Sequence, residues 1–238
     1  MSSETQFATS HTDFWNALLP MGEPYIRSQN AHPDRFLHPL YSTGPPEQRG
    51  IVNESAFLLF QEASKLAVGP EDLRDETADQ CCSRAFEYIS RLHRFPRLPL
   101  SPISKTGRSE AKVIAARLAH FFAKRHRHFE VKPFFPGCGW VNDAEGDVLS
   151  GQILYEVKAG DRQFRLSDMR QLLCYCALDF SAKKYGIETV CLFNPRTGVV
   201  IEEDLELLCQ KTAGSSSADV LGEIVAYISE PQSRYVEG

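Results

Sequence analysis

The sequence predicts an α/β protein: a mixed central β-sheet flanked by helices, preceded by a mainly helical N-terminal extension. Three observations predict it. From Ser109 onward, helical and strand periodicities alternate in the order helix, three strands, helix, two strands, helix. Before that, two runs carry apolar residues at helical spacing with little strand character. Between them, "FPRLPLSPIS" places three prolines in ten residues, a composition that resists helix and suits a boundary. The expected units are therefore residues 1–100, a mainly helical region suited to docking a partner, and residues 101–238, an α/β module. No internal repeat is present.

Residues 1 to about 50 combine one short amphipathic piece, "DFWNALL", with many turn formers, and read as a long loop or partly ordered extension. "NESAFLLFQEASKLAV" is a helix with Asn53 as candidate cap, and "DETADQCCSRAFEYISRLHRF" is a second helix beyond Pro70. "SEAKVIAARLAHFFAKRHRH" is a third, with Ser109 placed to cap it. "FEVKPFF" reads as one strand, "PGCG" as a turn, and "GDVLSGQILYEVK" as a β-hairpin. In "RLSDMRQLLCYCALDFSAKKYG", Ser167 is the expected cap, Asp168 suits the positive helix N-terminus, and Gly186 stops the helix. "IETVCLFNPRTGVVIEE" gives strand, turn and strand, and "ADVLGEIVAYIS" closes the series as a helix.

With 238 residues, 42% of them hydrophobic, the chain can bury one large core or two smaller ones. No apolar run approaches the roughly 18 residues of a membrane span, and no basic-then-apolar leader opens the chain, so neither membrane nor secretion is expected. The seven cysteines form no C-x-x-C pair. Free thiols in a reducing cytoplasm are the expected state, because no spacing supplies two ligand pairs for zinc. The net charge of −5 argues against a nucleic-acid partner, but its distribution argues the other way. Residues 97–175 hold 13 Lys and Arg against 8 Asp and Glu, leaving 13 against 23 elsewhere.

That positive stretch surrounds the hairpin, which carries Asp147, Glu156 and Lys158 among apolar residues. Charges are costly to bury unless paired. If Ser150 and Gly151 form the turn, Leu149 faces Gln152, Val148 faces Ile153 and Asp147 faces Leu154. Asp147, Leu154, Glu156 and Lys158 then share one face, with the two acids as diagonal neighbours. Their repulsion is relieved by a divalent cation, and Mg²⁺ takes few carboxylates together with water and phosphate oxygens. A metal, a water and a lysine are the parts of phosphodiester hydrolysis. Gln171 and Tyr175, spaced i,i+4, lie on one face of the following helix and are expected to look toward these groups. Taken alone, the triplet reads first as ordinary charges on a half-exposed strand, since Glu-x-Lys is common there; its neighbours change that reading.

Taken together, these residues resemble the PD-(D/E)XK nuclease superfamily, and within it the RecB-type branch. The resemblance covers about residues 105–200 and matches Glu110 on a helix, Asp147 at the hairpin, "EVK" at Glu156 to Lys158, and "QLLCY" from Gln171 to Tyr175. "FNPRTG" is similar to the tail of such cores, and "GD" stands where the family name has "PD". The resemblance implies a restriction-endonuclease-like core that cleaves DNA, or RNA as the alternative, with Mg²⁺ or Mn²⁺. It implies Asp147, Glu156 and Glu110 as metal ligands, Lys158 as the group that positions water, and Gln171 and Tyr175 as orienting residues. Small nucleases of this kind act with partners, so an ATPase or regulator, a larger defence or DNA-processing complex, and self-association all enter as expectations. Only Cys209 follows Cys191, so the cysteine cluster that holds an iron–sulfur centre in some relatives is not expected here.

Several residues carry two readings. Glu110 in a first helical turn also suits the helix dipole. "AKRHRH" serves equally as a helix C-terminus rich in positive charge or as a phosphate contact. Arg162, Arg165 and Arg170 lie between Glu-x-Lys and the next helix, placed to meet a nucleic-acid backbone. The competing function is an adaptor on the same fold that binds nucleic acid or protein without cutting.

Overall fold

The computed structural model describes residues 2–42, 44–92 and 101–231. The chain runs α1 (Glu4–Thr9), α2 (Thr12–Leu18), α3 (Gly22–Ala31), β1 (Asp34–Arg35), α4 (Arg49–Leu66), α5 (Asp75–Leu92) and α6 (Lys105–Arg125). It continues β2 (Glu130–Val131), β3 (Phe134–Phe135), β4 (Ala144–Glu145), β5 (Val148–Ser150), β6 (Ile153–Val157) and α7 (Leu166–Ala182). It ends β7 (Thr189–Phe193), β8 (Val199–Asp204), α8 (Leu205–Ala213) and α9 (Ser217–Ser229). The fold is α/β as expected, with a mixed six-stranded sheet in the order β1-β8-β7-β6-β5-β2. Among the described strands of this sheet, β6 and β7 pair in parallel and the other neighbours pair antiparallel.

Strand alternation divides the core into two layers. Leu154, Val190, Leu192 and Ile201 face the layer of α7, α8 and α9. Val148, Tyr155, Cys191 and Phe193 face the layer of α4, α5 and α6. The proline-rich stretch lies outside the described residues over 95–100. Both cores cross the boundary expected there. Phe7, Trp15 and Ile26 pack in the α7 layer, Ile51 and Phe60 pack under the sheet beside Phe121, and β1 extends the sheet by pairing with β8. Among the described residues, no helix is long and apolar enough to cross a membrane.

Several elements depart from the sequence reading. Residues 4–31 form three helices rather than a loop. Burial of Phe7 and Trp15 holds segments too short to be helical alone, and Ser3 and Gln6 form a capping box on α1. Helix α4 begins before Asn53, which therefore lies inside it. The cap of α6 is Ser104, not Ser109, and its Oγ accepts from Gly107 N–H at 3.1 Å. Helix α7 begins at Leu166, so Ser167 is a first-turn residue and Arg165 the cap position. "FEVKPFF" splits into β2 and β3 because Lys132 takes φ +62° ahead of Pro133. Helix α8, formed by "LELLCQKTA", was hidden behind the acidic end of β8.

Candidate active site

The hairpin turn is Gly151–Gln152, not Ser150–Gly151: Ser150 pairs with Ile153, Leu149 with Leu154, and Val148 with Tyr155. The reason is conformational. A two-residue hairpin turn requires positive φ at its first position, and Gly151 supplies +57° where a serine would be strained. The pairing therefore slides by two residues, which preserves the faces. Asp147 sits at a bend just before β5, one position past the last pair Val148–Tyr155, so in register its counterpart is Glu156 rather than Leu154. Asp147 Oδ2 accepts from Val157 N–H at 2.8 Å, which locks the carboxylate against the second strand.

Glu156 is 4% exposed, and its Oε1 accepts from Lys158 Nζ at 2.6 Å. The same Nζ donates to Gln171 Oε1 at 2.8 Å. Gln171 Nε2 in turn donates to the Tyr175 hydroxyl at 3.1 Å, and that hydroxyl donates to the Glu145 carbonyl at 3.2 Å. The sequence-predicted set Asp147, Glu156, Lys158, Gln171 and Tyr175 is thus brought together by the antiparallel hairpin of β5 and β6 and by helix α7.

Electrostatics follow from this crowding. Burial, then the neighbouring Asp147 charge, pushes the Glu156 carboxyl up to about 8, although Lys158 works against it. Burial also raises Asp147, opposed by Lys132 and Lys158. For Lys158, burial favours the neutral amine, but Glu156 and Asp147 outweigh it and hold the ammonium above its ordinary value. Burial and then the Glu156 charge raise the Tyr175 phenol well above its ordinary range, so it serves as a neutral hydrogen-bonding group.

The structure separates Glu110 from this set. With α6 starting at Lys105, Glu110 lies in the second turn, buried, and forms an ion pair with Arg196 at 2.5 Å. It also accepts from Ser42 Oγ at 3.1 Å and Gly44 N–H at 3.2 Å. Arg196 belongs to the "FNPRTG" turn, where Asn194 Oδ1 accepts from the Arg196 and Thr197 N–H groups at 2.9 and 3.1 Å. Arg196, Ser42 and Gly44 thus engage the Glu110 carboxylate, where the resemblance implies a third metal ligand. Among the described residues, no three Asp, Glu, His or Cys side chains converge as a metal-holding group.

The arginines also have internal partners. Arg162 grips Asp168 with two bonds of 2.6 and 2.7 Å, while Asp168 also accepts from Arg165 N–H at 2.8 Å. Arg162 therefore braces the start of α7, and Arg165 stands at its cap position with an exposed side chain. Arg170 is buried over the Trp15 ring, its carbon 5.7 Å from the centroid. In "AKRHRH", Arg125 pairs with Glu202 and His126 bonds the Tyr155 hydroxyl at 2.6 Å, so this end of α6 is tied to the sheet.

Four neighbours escaped the sequence reading. Lys132 donates its N–H to the Asp147 carbonyl at 2.9 Å, and its charge acts on the Asp147 carboxylate. Burial raises the Glu54 carboxyl on α4, with the Lys132 charge opposing the shift and the Asp147 charge adding to it, so this helical acid lies within electrostatic reach of Asp147. Glu4 and Thr5 on α1 reach the Gln171 amide. The available cue for Glu54 was a charge inside the otherwise apolar run "IVNESAFLLF"; Glu4, Thr5 and Lys132 left none.

No family model, curated protein or solved structure matches this chain. The resemblance therefore rests on motif order and spacing, beside the geometry above. The donor set fits a hard dication: two neighbouring carboxylates, both raised by burial, supply the few protein oxygens that Mg²⁺ takes before water and phosphate complete its shell.

Proposed function

We propose that this protein is a metal-dependent nuclease that hydrolyses phosphodiester bonds of DNA. The observation that carries the reading is Asp147 bonded to the Val157 N–H beside Glu156, its charge acting on the Glu156 carboxyl, with Lys158 bonded to Glu156. In this reading, Asp147 and Glu156 hold Mg²⁺ or Mn²⁺, and the bound ion supplies charge neutralisation at phosphate and acidification of water. Lys158, cationic and anchored by Glu156 and Gln171, directs its remaining N–H toward the attacking water or the phosphoryl oxygens. Glu54 on α4 is a helical acid whose charge interacts with that of Asp147. Lys132 and Arg165 are the cations disposed to meet the backbone. RNA is the alternative substrate, and an ATPase or regulator is the expected class of protein partner.

The test is cleavage of single- and double-stranded DNA and of RNA with Mg²⁺, Mn²⁺ or EDTA, beside Lys158→Ala. Divalent-dependent cutting that the variant abolishes supports the reading; intact substrates under every condition reject it. The engagement of Glu110 by Arg196 favours a second reading, a binding or adaptor subunit that does not cut. Under it, Lys158→Ala leaves DNA retention unchanged and no condition yields products.

A further inference from the structure

The Gln171 amide faces two ways. Its Oε1 accepts from Lys158 at 2.8 Å, while its Nε2 donates to the Tyr175 hydroxyl and to Thr5 Oγ1, both at 3.1 Å, and lies 3.5 Å from Glu4 Oε1. The oxygen and nitrogen ends of an amide are nearly equal in size, so partners alone decide its orientation. Tyr175 spends its one O–H on the Glu145 carbonyl at 3.2 Å and Thr5 spends its own on Glu4 Oε1 at 2.8 Å, so both hydroxyl oxygens accept and suit the NH₂ end. Glu4 reinforces this: its carboxylate only accepts, so it draws the Thr5 O–H and likewise tolerates only the NH₂ end of the amide. A reversed amide would set NH₂ against the Lys158 ammonium and oxygen against Glu4.

We propose that Glu4 and Thr5 are positioning residues for Lys158: they hold the Gln171 amide with its oxygen toward Nζ and so fix where the ammonium points. The inference deepens the nuclease reading and rests on it for the catalytic role of Lys158. Helix α1 is secured for this task. Ser2 N–H donates to the Trp140 carbonyl at 2.9 Å, and Asn142 N–H donates to the Ser2 carbonyl at 3.0 Å. Phe7, 1% exposed, packs against Trp15 and Trp140 with ring centroids 4.9 and 5.2 Å away. Thr5 is exposed and Glu4 half-buried, so neither belongs to the apolar core and both can be changed without removing what holds the helix.

The experiment uses the full chain with Thr5→Val, Thr5→Ser and the double variant Glu4→Ala, Thr5→Val. One readout is NMR of the Gln171 side-chain amide, assigned by its loss in Gln171→Ala; the other is steady-state cleavage of a DNA duplex with Mg²⁺. In the double variant, amide-proton exchange at Gln171 rises and kcat falls, each by about tenfold, the effect of about one hydrogen bond, with KM unchanged. Thr5→Ser retains wild-type values in both. Wild-type exchange and kcat in the double variant overturn the proposal, as does a kcat loss that Thr5→Ser shares. If the wild-type chain cuts nothing, the nuclease reading falls, and the amide readout alone decides whether α1 orients Gln171.

Discussion

Replacing Glu110 by alanine separates a structural carboxylate from a catalytic one. Glu110 and Arg196 side chains are 3% and 2% exposed and meet at 2.5 Å. Removing one member of such a pair leaves a buried charge without its closest partner, which costs about 3–5 kcal/mol. Arg196 keeps Asp161 at 3.3 Å and the Asn53 and Ala159 oxygens at 2.9 Å, so the lower end, about 3 kcal/mol, is expected. For a chain of this length that lowers Tm by roughly 6–12 °C. The assay is thermal and urea unfolding of Glu110→Ala, Arg196→Ala and the double variant. Each single change should destabilise strongly, and the double should cost less than their sum because the pair is lost only once. A Glu110→Ala protein that melts with the wild type yet has lost Mg²⁺-dependent cleavage would refute this reasoning and return Glu110 to the metal shell.

Three further outcomes follow from the same geometry. Because Glu156 rises from its ordinary 4.5 to about 8, the metal-free folded protein binds more protons than the unfolded chain between those values, so stability falls as pH rises through that window. Lys158, raised above 10.5, contributes below that pH and loses its contribution only at higher pH, outside the window. Measured against Glu156→Gln, which cancels the other titrating groups, the wild type should lose on the order of a few kcal/mol between pH 5 and 9, and equal slopes would contradict the assignment. Added Mg²⁺ should raise the Tm of the wild type at pH 8.5 and leave Asp147→Asn, Glu156→Gln unmoved; an equal rise in both, seen by differential scanning fluorimetry, would place the ion elsewhere. Arg162→Ala strips the buried Asp168 of a two-bond partner and should destabilise by about 1–3 kcal/mol in urea unfolding, whereas a pure phosphate contact would weaken DNA retention without that loss.

What could be read from the sequence was short-range. Glu156 and Lys158 are two apart on a strand and Gln171 and Tyr175 four apart on a helix, so local periodicity alone sets each pair on one face. The same alternation in β6 sets Leu154 and Tyr155 on opposite faces, and the two core layers lie on those faces. Register was harder, because either Ser150 or Gly151 can open a turn on composition, and only the φ requirement selects between them. Glu110 matched a motif position, but its partner lies 86 residues away and no local pattern announces it. Helices α1 and α2 are six and seven residues long, below the length at which propensity decides, and tertiary burial of Phe7 and Trp15 makes them. Glu4 and Thr5 were out of reach for the same reason.

The bond between Gln171 and Glu4 joins positions 167 apart. Contacts of such separation form late in folding, after shorter loops have closed. During translation, a chain emerged only as far as residue 160 has both acids and the amine but not the glutamine that aims it. On the nuclease reading, ribosome-bound fragments of that length should leave a DNA duplex uncut, because the contact between α7 and α1 that aims Lys158 is still missing.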